Sequence, residues 1–211
     1  MQYIAQSIPN KGKLKNGDSY RFFEDEHAAI ALVADGVGGN ACDWKASEQA
    51  CEDLVYYYQA APSGTSVLDA VALSLRKTYA RLYQTKGECE GMLSTLVGVV
   101  LDKTTSEYFY FGVGDSTILR FQDDQMEELP TQSSFYLPID YLPTRVQNGG
   151  VWEPKMSFAL MTDGITANRK AYQSEIALVL RSPDWETRLG ELMQLNQLTQ
   201  SDDMTLMLLR G

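Results

Sequence analysis

The chain has 211 residues, of which 44% are hydrophobic, and carries a formal charge of −10 from 28 acids against 18 bases. So acidic a chain presents no general basic face to nucleic acid, and any affinity for a phosphorylated ligand has to come from local cations, either side chains or metals. It has no apolar run of membrane-spanning length, and the opening MQYIAQSIPNKGKLKNGD holds no signal-peptide core, so a cytoplasmic protein with no membrane attachment is expected.

Residues 2–8 and 19–23 have the pattern of short strands. Residues 28–34 (AAIALVA) form a continuous apolar run that stops at Asp35-Gly36, which predicts a buried strand. Residues 43–60 follow with helical spacing of Trp44, Cys51, Val55 and Tyr58, and Asp43 suits the N-cap. A second helix is predicted over 65–85, with a buried stripe of Val67, Val71, Leu75, Thr78 and Leu82 and a stop at Gly87.

A dense β region comes next, with strands at 93–101, 107–113, 117–121 and 126–129, and the short turns between several of them imply antiparallel pairing. Residues 130–156 hold four of the seven prolines and the pair Gly149-Gly150, a composition that predicts a surface excursion. Residues 157–162 form another apolar strand ending in Asp163-Gly164. Helices are expected at 172–181 and 184–198, the second with Ser182 as cap and Pro183 in the first turn. Residues 204–210 close the chain as a strand. The order of elements predicts an α+β fold, two packed antiparallel β-sheets flanked by helices, in one unit spanning 1–211. The odd set of cysteines, Cys42, Cys51 and Cys89, lacks metal-ligand spacing and is expected to be reduced.

Several strands deliver an aspartate at one end: Asp18, Asp35, Asp115, Asp163 and Asp202. Carboxylates brought together in this way repel one another, and hard divalent cations such as Mg²⁺ and Mn²⁺ neutralise such all-oxygen sites. Each Asp-Gly taken singly is an ordinary turn dipeptide; the ordered set on matching strands is the informative feature.

That set resembles the metal-dependent serine/threonine phosphatases of type 2C in their compact bacterial form. The resemblance is carried by Asn16-Gly17-Asp18, Ala34-Asp35-Gly36-Val37-Gly38-Gly39, Ala46-Ser47, Ser94-Thr95, Gly114-Asp115-Ser116, Thr162-Asp163-Gly164 and Asp202-Asp203-Met204-Thr205. It implies two Mn²⁺ or Mg²⁺ ions, bridged by Asp35, with Asp163 and Asp202 completing one and the Gly36 carbonyl contacting the other. Asp18 would hold metal-bound water or touch a metal directly, and Asp115 with Asp163 would take a third, weaker ion. A shared water activated by the two cations would attack a phosphoserine or phosphothreonine of a protein substrate, and a serine/threonine kinase would be the opposing partner.

Three positions depart from the family pattern. Lys13 stands where an arginine usually binds substrate phosphate, and is expected either to take over that contact or to belong to a solvated basic loop with Lys11 and Lys15. Val37 replaces a histidine common in eukaryotic members, and the only histidine, His27, lies outside every motif. Asp202-Asp203 replaces Asp-Asn, with Asp202 expected to be the ligand. Residues 130–156 occupy the place of the family's flap. The rival function is a catalytically impaired domain that binds or regulates; a monomer is favoured in either case.

Overall fold

The computed structural model describes residues 1–38, 42–85, 92–123, 125–132, 136–138, 145–166 and 172–211. Strands β1 (Gln2–Ile8), β2 (Asp18–Glu24) and β3 (Ala28–Asp35) lead into helices α1 (Asp43–Gln59) and α2 (Val67–Thr85). Strands β4 (Leu96–Asp102), β5 (Glu107–Val113), β6 (Thr117–Gln122), β7 (Gln125–Leu129), β8 (Gln147–Val151) and β9 (Ser157–Met161) follow. Helices α3 (Asp163–Thr166), α4 (Tyr172–Arg181) and α5 (Trp185–Gln197) precede β10 (Met204–Arg210).

The strands form two five-stranded sheets, ordered β1-β10-β9-β6-β7 and β2-β3-β4-β5-β8. Each ladder between neighbours is antiparallel. The expected α+β class with two packed antiparallel sheets is therefore what the chain adopts. The apolar run of β3 has a direct explanation in the layering. Ile30, Leu32 and Ala34 face α1 and α2 with Leu54, Val71 and Leu82. Ala29, Ala31 and Val33 face the opposite sheet with Phe158, Leu160 and Met207. A strand buried on both faces loses polar alternation. On the far side, Leu119, Ala159, Met161 and Leu208 pack against Ile165, Ile176, Trp185 and Met193. The layers are helix, sheet, sheet, helix.

The structure revises several local expectations. Residues 147–151, placed in the proline-rich excursion, form the edge strand β8 on β5. The Gly149-Gly150 pair is a requirement of that strand rather than a turn signal. A Cβ on Gly149 would lie 2.0 Å from the Tyr108 ring, and Gly150 has φ +100°. Asp43 is inside α1, with Cys42 at its cap position, because the Asp43 carboxylate accepts from its neighbour Trp44 N and from Lys13 instead of capping. For α5 the cap is Asp184, which accepts from Thr187 N, and not Ser182. Cys42 is disulfide-bonded, contrary to the expectation of reduced thiols, whereas Cys51 is free and buried in the core. The expected helix stop at Gly87 and the state of Cys89 lie outside the described residues. No described helix is long and apolar enough to cross a membrane.

The inter-sheet layer depends on large side chains that meet between the two sheets. Phe158 is fully buried with its ring 5.1 Å from that of Tyr108 on the other sheet. Phe158→Ala is expected to destabilise the protein by about 3–5 kcal/mol, read as a lower midpoint in denaturant unfolding.

Candidate metal centre

Strand direction brings the aspartates together. β2 begins at Asp18 and β3 ends at Asp35, and the register makes these two residues direct cross-strand partners. In the other sheet β9 ends just before Asp163 and β10 begins just after Asp202, with Leu206 opposite Met161. The pair stays aligned beyond the ladder, because Thr162 N donates to Thr205 O at 3.1 Å and Thr205 N to Thr162 Oγ1 at 3.0 Å. β5 ends one glycine before Asp115. All five carboxylates therefore come from strand ends at one edge of the sandwich.

Asp35, Asp115, Asp163 and Asp202 line one cleft of about 90 Å³, together with Val37, Gly38, Thr95 and Tyr136. Asp115 and Asp202 are exposed, Asp35 and Asp163 half-buried. Asp18 lies behind the cleft, buried, where Thr162 Oγ1 from the other sheet donates to its Oδ2 at 2.8 Å. Gly36 is also buried, its N–H donating to Gly17 O at 3.0 Å. A Cβ there would come within 2.1 Å of the Asp43 carbonyl, so α1 can approach this backbone only at a glycine.

Hydroxyls of the same motifs set the geometry. Asp35 N donates to Thr95 Oγ1 at 2.8 Å, and Thr95 Oγ1 meets Ser116 Oγ at 2.7 Å. Ser94 Oγ donates to Asp35 O at 3.0 Å and Ser47 Oγ to Gly17 O at 2.6 Å. Asn16 accepts from Asp18 N and donates to Ser7 Oγ, which meets Thr205 Oγ1 at 2.6 Å. These neutral partners fix backbone and side-chain positions without cancelling charge.

The electrostatic consequence is a set of reluctant carboxylates. Burial, followed by the charges of Asp18, Asp163 and Asp202, pushes Asp35 up to about 10. Burial is also the main cause that raises Asp18 to about 7, against the hydrogen bonds of Thr162 and Thr205. Asp163 is raised by burial and then by Asp115 and Asp202, and it lies within hydrogen-bond reach of Asp35. Asp18 Oδ1 and Asp163 Oδ1 are buried with no hydrogen-bond partner. Acceptor-only oxygens left in this state suit hard divalent cations. Among the described residues no three such groups are already closed around one point. The donor set fits a cation; its final closure would accompany binding.

Lys13 is not in the cleft. Its ammonium lies 2.6 Å from Asp203 Oδ2 and 3.0 Å from Asp43 Oδ2. Burial would lower its pKa, but the hydrogen bonds and charges of Asp203 and Asp43 outweigh that and raise it above the ordinary lysine range. In this structure the ammonium is thus engaged with carboxylates of the chain itself. Asp203, buried at 2% side-chain exposure, also accepts from Asn10 N and Gly17 N. Two residues at this edge were not singled out from sequence as site residues. Asp43 was read only as a cap. Tyr136, which donates to Asp115 Oδ2 at 3.1 Å, sits in the proline-rich stretch and carries no local signal of its position.

The chain belongs to the protein phosphatase 2C family, whose sequence model matches residues 10–200. A search of curated proteins returns no match. Among solved structures, the serine/threonine phosphatase of S. agalactiae is similar with a TM-score of 0.82 at 17% identity, covering 98% of each chain. The Mycobacterium tuberculosis phosphatase PstP/Ppp gives 0.80 at 16% identity, over 98% of this chain and 97% of that one. The Mycobacterium smegmatis phosphatase MsPP gives 0.79 at 19%, over 99% and 97%. At these identities the likeness is one of fold.

Carboxylates that are harder to ionise when folded make the metal-free protein sensitive to pH. Asp18 and Asp35 have folded pKa values above the ordinary 3.8, so folding takes up protons. The stability this provides is complete below about pH 4 and is lost as pH rises through about 7 and on toward 10. In chelator, Tm is expected to fall between about pH 5 and pH 8, and saturating Mn²⁺ or Mg²⁺ to raise Tm most at the upper end. A metal-free Tm that rises over that range would contradict the assigned electrostatics.

Proposed function

We propose that the protein hydrolyses phosphoserine or phosphothreonine in proteins with water activated at a divalent-cation site. The observation that supports this most is the meeting of Asp35, Asp115, Asp163 and Asp202 in one cleft, backed by buried carboxylate oxygens that lack any donor. Asp35 would be shared between two cations, Asp163 and Asp202 would complete one, and the Gly36 carbonyl would serve the other. Asp18 would act from behind, through water or directly, and Asp115 with Asp163 would take a third ion. Mn²⁺ or Mg²⁺ bound there lowers the pKa of coordinated water and screens charge on the phosphoryl oxygens.

The chain's own groups hold this arrangement. Thr95 and Ser94 fix the backbone of Asp35, and Thr162 aims the Asp18 carboxylate. Tyr136 orients Asp115 at the mouth of the cleft. His27 cannot serve as the proton donor. It precedes β3, whose other end carries Asp35, so eight residues of extended strand, roughly 25 Å, separate it from the cleft. Cys51 is buried in the core and so is not an available nucleophile. Two similar structures support the choice of ions, RsbX in complex with magnesium and the catalytic domain of PstP with 2 manganese ions. A phosphoprotein made by a serine/threonine kinase would be the substrate.

Hydrolysis of p-nitrophenyl phosphate by the purified protein tests this directly. Turnover is expected with Mn²⁺ or Mg²⁺, to vanish in excess chelator, and to fall by at least about a hundredfold in Asp35→Asn. His27→Ala is expected to leave kcat within about twofold across the pH range. Absence of turnover with every cation would favour a phosphatase-like binding module instead.

A further inference from the structure

The contacts of Lys13 reach further than one ion pair. Asp203, which receives its ammonium at 2.6 Å, immediately follows Asp202 of the cleft. The same Asp203 carboxylate accepts the N–H of Gly17, the residue before Asp18, at 2.7 Å. Asp43, the second partner of Lys13, packs its backbone against Gly36, the residue after Asp35. One partly buried cluster therefore touches the chain neighbours of Asp18, Asp35 and Asp202, which lie on three different elements. Asp203 also holds Asn10 N at 2.6 Å, and the loop between is pinned a second time where Lys15 Nζ lies 3.3 Å above the Trp44 ring.

We infer that Lys13 is a positioning residue, which with Asp43 and Asp203 locks the segments bearing Asp18, Asp35 and Asp202 in register, and that it does not bind substrate phosphate. The two departures noted from sequence, lysine at position 13 and aspartate at position 203, are then one coupled feature. A lysine without Asp203 would lose its shorter partner, and Asp203 without the lysine would be a buried carboxylate beside Asp43. The inference rests on the proposed phosphatase reading for its catalytic consequence, but the lock itself is a structural claim.

The test is a cycle of Lys13→Met, Asp203→Asn and the double substitution, read by thermal unfolding, Mn²⁺ calorimetry and p-nitrophenyl phosphate kinetics. Lys13→Met is expected to lower Tm by about 5 °C, since it leaves two neighbouring carboxylates without their countercharge. It is also expected to weaken Mn²⁺ binding and lower kcat by roughly tenfold, with KM and competitive inhibition by inorganic phosphate within about twofold. Adding Asp203→Asn should recover most of all three losses. A several-fold rise in KM and in the phosphate inhibition constant, unrelieved by Asp203→Asn, would overturn the inference and return Lys13 to the phosphate. Strictly additive effects on Tm would equally overturn it. If the parent protein neither binds Mn²⁺ nor turns over, the phosphatase reading falls, while the Tm cycle still decides whether the lock exists.

Discussion

A carboxylate at the end of a buried strand has little water to stabilise its charge, and this chain puts several such groups at the same edge. Asp35 and Asp163 lie within hydrogen-bond reach of each other, and Asp18 stands opposite Asp35 in the ladder. Repulsion there opposes folding unless protons or cations answer it. The surrounding polar side chains respond in a particular way. Thr95, Ser94, Thr162, Ser116 and Asn16 take part in hydrogen bonds that fix geometry and leave the charge uncancelled. An edge built for stability alone would pair these carboxylates with lysine or arginine.

The nearby lysines are instead turned to the rear of the edge. Lys13 meets Asp43 and Asp203, and Lys15 covers Trp44, so both are spent on the first two residues of α1 and the head of β10. The division is physically sensible. A cation behind the site supports the backbone that carries the ligands, whereas the same cation within the cleft would compete with a divalent ion for the same oxygens. Asp202 and Asp203, adjacent just before β10, serve the two sides separately, Asp202 lining the cleft and Asp203 buried against Lys13.

Much of this was legible in the sequence because it depends on local pattern. A short apolar run ending in Asp-Gly marks a doubly buried strand with a carboxylate at its tip, and both β3 and β9 follow that rule. The order of strands and helices was enough for two packed sheets. What could not be read depends on contacts between distant residues or on backbone approach. Lys13 and Asp203 are 190 positions apart, and neither has a neighbour that announces the other. β8 was missed because its glycines, Gly149 under the Tyr108 ring and Gly150 at positive φ, imitate a turn. Tyr136 sits in an irregular stretch, held by paired backbone bonds between Leu137 and Ser94, and no periodicity signals such a position. The cap of α1 shifted because the Asp43 carboxylate found other partners, and that of α5 because Asp184 took the role expected of Ser182.

The overall charge of −10 sharpens the role of the cleft. A phosphorylated substrate would approach a surface that repels it at long range, and salt screens that repulsion only beyond about 8 Å at physiological ionic strength. Attraction has to arise within the cleft itself. With Lys13 committed internally, the ions that would activate water are also the ions that would hold the phosphoryl group. Binding and chemistry would then share one set of ligands, so outright removal of the Asp35, Asp163 or Asp202 carboxylate should weaken substrate affinity and turnover together. A surface change elsewhere on this acidic protein would alter the rate of encounter and leave the chemical step as it was.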